Sequence, residues 1–248
     1  MHSWRVPLLP HLEYAELRER LTWDSLATAP ENLPVAQSVV PTFICPSGGE
    51  TGNLGRGLKH ELAGLPTSEI REEHLYGVER SDYDAMAGIQ VLPKPFPAGE
   101  NPNSVDFVRW GIWGWPVFEE ETISGSRLLR YRRGKFRDIT DGLSHTIAIV
   151  ERTGKPIDLL NGQPNVTSGN PDANYLGQVG WSASNTFSFS INPQDVGVNE
   201  ANSYGIYSFH SAGANVALAD GSVRMLPDST DFDTLVKLYG RSNGRSSN

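Results

Sequence analysis

The side chains best suited to take part in a reaction lie near the C-terminus. There His210 is followed, after nine intervening residues, by Asp220-Gly221. An imidazole and a carboxylate are common partners in general acid–base catalysis, so His210 is the candidate catalytic residue and Asp220 its conceivable partner. Asp220 and Gly221, however, stand between two apolar runs, where they favour a tight turn. We therefore predict structural roles, with His210 hydrogen-bonding the backbone at the base of a hairpin.

Other nucleophile and metal motifs are missing from the sequence. No Gly-x-Ser-x-Gly elbow occurs, and Cys45, the single cysteine, is followed by Pro46 with nothing nearby to lower its thiol pKa. No His-Glu-x-x-His motif or paired cysteines occur, which argues against a zinc or other transition-metal centre. A hydrolase is thus our third hypothesis, with His210 as its candidate catalytic group.

A cluster of aspartates offers a candidate site for a hard cation. Asp228, Asp231 and Asp233 lie within six residues of one another, and Asp138 and Asp141 share another turn. Carboxylates on loops suit calcium, but the spacing is not that of an EF-hand, and Asp231 is also well placed to cap a helix. We predict no organic cofactor and keep a calcium ion at the first three aspartates as the alternative to capping.

Three tryptophans stand close together at Trp110, Trp113 and Trp115, with glycines at 111 and 114. Exposed on a loop, these rings would stack on sugars or form a protein interface, which makes a carbohydrate-binding module our second hypothesis. Tryptophan also buries a large apolar area, so the rings equally fill a core or cover a sheet edge. The sequence favours packing.

Composition and charge exclude some classes of partner. The 248-residue chain has a formal charge of −8, which is unlike the basic surface of a nucleic-acid-binding protein. A basic stretch over residues 127–137 would fit an acidic partner, although a solvated strand or loop explains it better. No run of 18 apolar residues occurs, so we expect no membrane contact by this chain itself and any targeting segment to lie upstream.

Residue patterning indicates an α+β fold in a single domain, 1–248, with insertion loops at about 48–105 and 152–180. Alternation and β-branched residues predict strands over 39–45, 83–91, 145–151 and 181–191, and apolar spacing predicts helices over 10–21 and after Asp231. At the Asp220-Gly221 turn we predict a two-residue type I′ loop. That register places Val216, Leu218, Val223 and Met225 on one face of the hairpin, and Ala217, Ala219, Ser222 and Arg224 on the other.

Five blocks in a fixed order resemble the prepilin-type processing-associated His-x9-Asp-Gly domain family. They are residues 3–13, the Cys-Pro-Ser element within 43–47, the Asp-x-x-Asp-Gly block at 138–147 with Glu151, the segment from His210 to Asp220-Gly221, and residues 233–235. Trp23-Asp-Ser25 also stands at a familiar place, whereas His145 replaces an expected asparagine. Residues 48–130 and 152–200 match loosely.

The resemblance implies a type IV pilin-like architecture in which a long N-terminal helix packs on an antiparallel sheet. It implies a non-enzymatic pseudopilin-like protein, extracellular or at the cell surface and associated with type II secretion. Its partners would be other pseudopilin or surface proteins, with polysaccharide as the alternative. The processing motif and the anchoring helix are missing from this sequence; either they lie upstream of Met1, or Met1 is the genuine start and the chain is a soluble derivative of the family.

Overall fold

The computed structural model describes residues 2–49, 55–59, 61, 72–91, 108–113, 117–123, 126–132, 135–154, 159–164, 180–182, 187–190, 197–202 and 205–241. Within them the chain is α+β, as predicted. The strands are β1 (Gly55–Leu58), β2 (Leu75–Val78), β3 (Tyr83–Gln90), β4 (Val108–Trp110), β5 (Val117–Ile123), β6 (Ser126–Arg132), β7 (Ile147–Glu151), β8 (Leu159–Leu160), β9 (Gln163–Pro164), β10 (Phe187–Ser190), β11 (Gly213–Leu218) and β12 (Val223–Pro227).

The helices of the described part are short. The α-helices are α1 (Ala15–Glu19), α2 (Leu33–Ala36) and α3 (Phe232–Tyr239), and 3-10 helices span Val6–Leu12, Pro41–Phe43, Pro46–Gly48, Glu72–His74, Phe136–Asp138 and Leu143–His145. None of these helices has the length and apolar character required to cross a membrane.

A six-stranded sheet organises the described residues, in the order β10-β3-β7-β11-β12 with β4 also paired to β3. Strand β10 runs parallel to β3, and the other pairs are antiparallel. The strands predicted over 83–91, 145–151 and 181–191 correspond to β3, β7 and β10. Strand β3 bonds three neighbours, although it lies inside the range predicted as an insertion loop.

The main core lies between this sheet and α3. Asp231 caps α3 as predicted, because its carboxylate accepts a hydrogen bond from Thr234 N at 2.8 Å. Burial of one helix face against the sheet then supplies most of the stabilisation of so short a helix. The buried core residues are Ile89, Ile147, Val150, Val198, Ile206, Ala214, Val216, Leu218, Leu226, Leu235, Leu238 and Tyr239.

A second core lies under the N-terminal helices and contains Val6, Leu9, Leu21, Val35, Val40, Phe43 and Trp181. The single helix predicted over 10–21 is in fact a 3-10 helix followed by α1, interrupted at Glu13 with φ 69°. The strand predicted over 39–45 is wrong. Pro41 and Pro46 each begin a 3-10 helix there, since proline lacks an N–H and its φ suits the first helical position.

The β11–β12 hairpin forms, but its predicted register is wrong by one residue. Leu218 N donates to Ser222 O at 2.8 Å, so the loop holds three residues and Gly221 adopts φ 86° within it. Val216 therefore lies opposite Arg224 instead of Met225. Because a one-residue shift exchanges the two faces of a strand, Leu226 enters the core, and Val223 and Met225 are exposed.

A buried ion triad joins the N-terminal helices to the sheet. Asp84 on β3 accepts from Arg5 Nη2 at 3.2 Å through Oδ1 and from Arg152 Nη1 at 2.6 Å through Oδ2. All three side chains are at most 5% exposed. Arg5 also donates from Nε to Tyr83 O at 3.2 Å. The single carboxylate thus pairs with two guanidinium groups that water does not solvate.

A second buried pair, Arg80 and Asp82, lies at the start of the same strand, with Arg80 Nη2 3.3 Å from Asp82 Oδ2. Burial raises the pKa of the Asp82 carboxyl to about 6, against the lowering effects of Arg80 and of a hydrogen bond from Cys45 N. Asp82 therefore prefers to be neutral in its folded environment at mildly acidic pH.

Replacing Asp84 with asparagine should lower the free energy of unfolding by about 3 to 5 kcal/mol, because two buried guanidinium groups lose their compensating charge. Urea denaturation followed by circular dichroism measures the loss. The matched control is Asp24→Asn, an exposed aspartate, which we expect to change stability by less than about 0.5 kcal/mol. Equal losses in the two variants would contradict a central role for the triad.

Asp82 should make the protein less stable as the pH rises. Between its unfolded pKa of 3.8 and the folded value of about 6, the folded state holds a proton that the unfolded state has released. The free energy of unfolding therefore falls over this window, by about 3 kcal/mol in total, and the loss is complete above it. Asp82→Asn does not titrate, so the stability difference between wild type and variant should change by that amount between about pH 4 and pH 7. A pH-independent difference would refute the assignment.

Candidate functional site

Three side chains from distant parts of the chain meet beside the two buried ion groups: Cys45, Glu151 and His210. Cys45 Sγ lies 3.6 Å from His210 Nε2, and the same nitrogen lies 3.3 Å from Glu151 Oε1. One ligand atom from each residue lies within 4.8 Å of the other two. Within the described ranges, this is the group of histidine, cysteine and acidic side chains whose arrangement is compatible with holding a metal ion.

Cys45 is fixed by the two proline-initiated 3-10 helices that flank it. Its backbone N–H donates to Asp82 Oδ2 at 2.9 Å, and its carbonyl accepts from Gly48 N at 2.8 Å. A side chain at Gly48 would collide with this arrangement, since a Cβ there would lie 2.6 Å from Asp82 Oδ2. The thiol is fully buried as a result.

Glu151 is the last residue of β7 and is almost fully buried. Its Oε2 accepts a hydrogen bond from Asn215 N of β11 at 2.6 Å, which leaves Oε1 directed at His210. A charged acceptor that is hydrogen-bonded to a backbone N–H of the neighbouring strand has little freedom to rotate. The sheet therefore sets the position of this carboxylate.

His210 lies in the segment before β11, with its side chain 29% exposed. Its backbone N–H donates to Ser208 Oγ at 3.1 Å, and its ring Nδ1 lies 3.4 Å from Ser47 Oγ. We predicted that the imidazole would hydrogen-bond the backbone of the hairpin. This prediction is wrong, because the ring nitrogens contact side chains instead. Both ring nitrogens contact side chains from other parts of the chain, so the histidine closes the cluster at its solvent edge.

The electrostatics of the cluster keep the thiol protonated. Burial raises the pKa of Cys45, opposed by the Ser47 backbone N–H and reinforced by the carboxylates of Glu151 and Asp82. Burial also raises the pKa of Tyr83, whose hydroxyl hydrogen-bonds the thiol. A nucleophilic cysteine needs the opposite, a lowered pKa beside a cationic group. The arrangement is thus better suited to attract a cation than to attack a substrate.

Asp220 does not belong to this cluster. Its carboxylate accepts from Ser222 N at 2.9 Å and from Ser222 Oγ at 2.7 Å, which lowers its pKa and holds the turn. Asp220 and Gly221 therefore lie in the turn between β11 and β12. His210 and Asp220 stand at opposite ends of β11, a strand about 20 Å long, and do not form the conceivable catalytic pair.

The other predicted site residues lie elsewhere. Trp113 is half-buried, donates from Nε1 to Ala148 O at 2.6 Å and packs against Trp4 with ring centroids 5.6 Å apart. Trp110 belongs to β4, and Trp115 lies outside the described residues. Asp231 caps α3, Asp228 accepts from Asn199 Nδ2 at 2.7 Å, and Asp233 is exposed in the first turn of α3. Sugar binding and calcium binding stay predictions.

Glu151 was not predicted as a functional residue, and Cys45 was not predicted to be reactive. Their separation along the chain hides them, because Cys45 and Glu151 are 106 positions apart and Glu151 and His210 are 59 positions apart. One signal was available. Each of the three residues belongs to a different block of the family resemblance, and the fold brings these blocks together at one point.

Comparison with known proteins identifies a family for the chain. None of the curated proteins matches it, and neither does any solved structure. A family model described as a protein of unknown function, DUF1559, matches residues 1–233, which include every residue of the cluster and the β11–β12 hairpin. The chain belongs to the DUF1559 family.

Proposed function

We propose that this chain is the globular domain of a non-enzymatic, pseudopilin-like protein at a bacterial cell surface, where it presents one edge of its sheet to protein partners. The family assignment and the His210 to Asp220-Gly221 block support this proposal, because the block resembles the prepilin-type processing-associated His-x9-Asp-Gly domain. The antiparallel arrangement of β3, β7, β11 and β12 is also compatible with a pilin-like sheet.

The observation that carries the proposal is the exposure of β12. Within the described residues this strand pairs with β11 and closes the order of the sheet, so its outer edge has unpaired backbone groups available. Val223 and Met225 on this strand are 69% and 48% exposed. An edge strand with apolar side chains on its open face is the kind of surface that accepts a strand from another protein.

The buried side chains of the domain favour a structural role over catalysis. The buried side chains of Arg5, Asp84 and Arg152 are already paired with one another, and the raised pKa of Cys45 disfavours a reactive thiolate. The sugar-binding alternative gains nothing from Trp113, since the ring is half-buried and its N–H is already satisfied by Ala148 O. Partner binding at a sheet edge is the function that these contacts favour.

Site-specific photocrosslinking in intact cells of the source bacterium tests the proposal. A photoreactive amino acid at Val223 of the full gene product should trap an envelope protein that carries a prepilin-type processing sequence. The same group at Phe136, which is 72% exposed in a different element, is the matched control and should not trap it. External protease should also degrade the domain in intact cells.

Val223→Lys with Met225→Lys should remove the crosslink formed from a neighbouring β12 position while leaving the unfolding midpoint nearly unchanged, because both side chains are exposed. Protection from external protease, or equal trapping from Val223 and Phe136, would refute the proposed surface role.

A further inference from the structure

We infer that Cys45, Glu151 and His210 form a binding site for one divalent transition-metal ion of the zinc type. The inference is independent of the proposed surface function, because it rests on three side chains in the interior and not on the edge of the sheet. These residues supply one sulfur, one nitrogen and one oxygen ligand, each of a type that zinc binds.

Two of the three separations between the ligand atoms match a tetrahedral site, and the third, from Cys45 sulfur to Glu151 oxygen, is within 4.8 Å. Zinc binds thiolate at about 2.3 Å and imidazole or carboxylate at about 2.0 to 2.1 Å. Tetrahedral angles then require separations of about 3.5 Å between sulfur and nitrogen and about 3.3 Å between nitrogen and oxygen. The observed values are 3.6 Å for Cys45 Sγ to His210 Nε2 and 3.3 Å for His210 Nε2 to Glu151 Oε1.

Both the histidine and the carboxylate have an outer partner that orients them. Ser47 Oγ lies 3.4 Å from His210 Nδ1, where it can accept the Nδ1 proton and leave Nε2 with its lone pair directed at the ion. Asn215 N holds Glu151 Oε2 at 2.6 Å and directs Oε1 inward. Such outer hydrogen bonds fix the tautomer and orientation of metal ligands.

The identity of the ligands selects the class of ion. A thiolate and an imidazole favour zinc and related transition metals, whereas calcium and magnesium prefer sites made wholly of oxygen. Binding would release the Cys45 proton to solvent, because the thiolate is the ligand form. Three protein ligands leave one tetrahedral position, and the partly exposed His210 edge gives water or a small ligand access to it.

Such an ion would join three segments that are far apart in sequence. Cys45 lies in the N-terminal helical layer, Glu151 ends β7, and His210 precedes β11. The metal would therefore link the second core to the main sheet and stabilise the folded state by an amount that rises with the logarithm of its free concentration once that exceeds the Kd.

Cobalt(II) titration of the full chain, stripped of metal by a chelator, tests the site. We expect saturation at one equivalent, intense visible bands of a four-coordinate ion and a thiolate-to-cobalt charge-transfer band in the near ultraviolet. Cys45 is the single cysteine of the chain, so a thiolate band can arise from this position alone. Zinc should then displace cobalt and abolish the spectrum.

Variants assign the ligands. Cys45→Ser should abolish the charge-transfer band, and His210→Gln and Glu151→Gln should each weaken zinc binding by more than about 100-fold, since loss of an outer partner alone costs 10- to 100-fold. Ser47→Ala should fall within that smaller range. His145→Gln, a histidine outside the cluster, is the matched control and should bind as wild type does.

The wild-type spectrum decides the matter even where a variant fails to fold. No saturable cobalt spectrum, or an octahedral spectrum without the thiolate band, would overturn the inference. It would equally be overturned by folded His210→Gln and Glu151→Gln variants whose zinc affinity matches that of the wild type.

Discussion

The bridging of two buried guanidinium groups by Asp84 is the interaction on which the described structure most depends. Asp84 lies on β3, Arg152 follows β7 directly, and Arg5 comes from the N-terminal helical layer. A single carboxylate therefore fixes the distance between the helical layer and the two strands. Buried ions are costly to desolvate, so this contact tolerates little relative movement of the segments that it joins.

The position of the cluster follows from this constraint. The backbone of Arg152 donates to Asp82 O at 2.7 Å, and Asp82 N donates to Phe43 O at 2.8 Å, so the residues beside Glu151 and Cys45 are tied to the same short stretch of chain. With these bonds formed, the ligand atoms of Cys45 and Glu151 lie within 4.8 Å of each other. His210 then completes the arrangement from the segment that enters β11.

Much of the fold was predictable where the pattern is local. The alternating runs of β3 and β7 and the Asp231 cap of α3 depend on near neighbours, and the sequence analysis identified them. The hairpin turn was identified too, but a three-residue loop and a two-residue loop both place glycine at positive φ, so the register could not be chosen from residue types alone. Proline-initiated 3-10 helices replaced the strand expected over 39–45, because the apolar residues there pack in the second core and not in a sheet.

The candidate site was less predictable for a physical reason. Its side chains meet through non-local backbone bonds, and no spacing within a single segment reveals such a meeting. His210 was identified as chemically interesting, but its partner was sought at Asp220, ten positions along the chain, instead of at Glu151 in the adjacent strand. The sequence separation of two side chains that are neighbours across a sheet depends on the length of the segment that connects their strands. Residue spacing alone does not reveal that length.

The nine residues between His210 and Asp220 acquire a geometric meaning from the hairpin. These nine residues include all of β11 and the start of its turn. Their number therefore fixes the distance between the His210 imidazole and the hairpin turn. A single residue inserted within β11 would move one end by about 3.3 Å and turn the following side chains to the opposite face. The imidazole and the turn would then no longer fit the same sheet, which makes the length of this segment as restrictive as the identity of its residues.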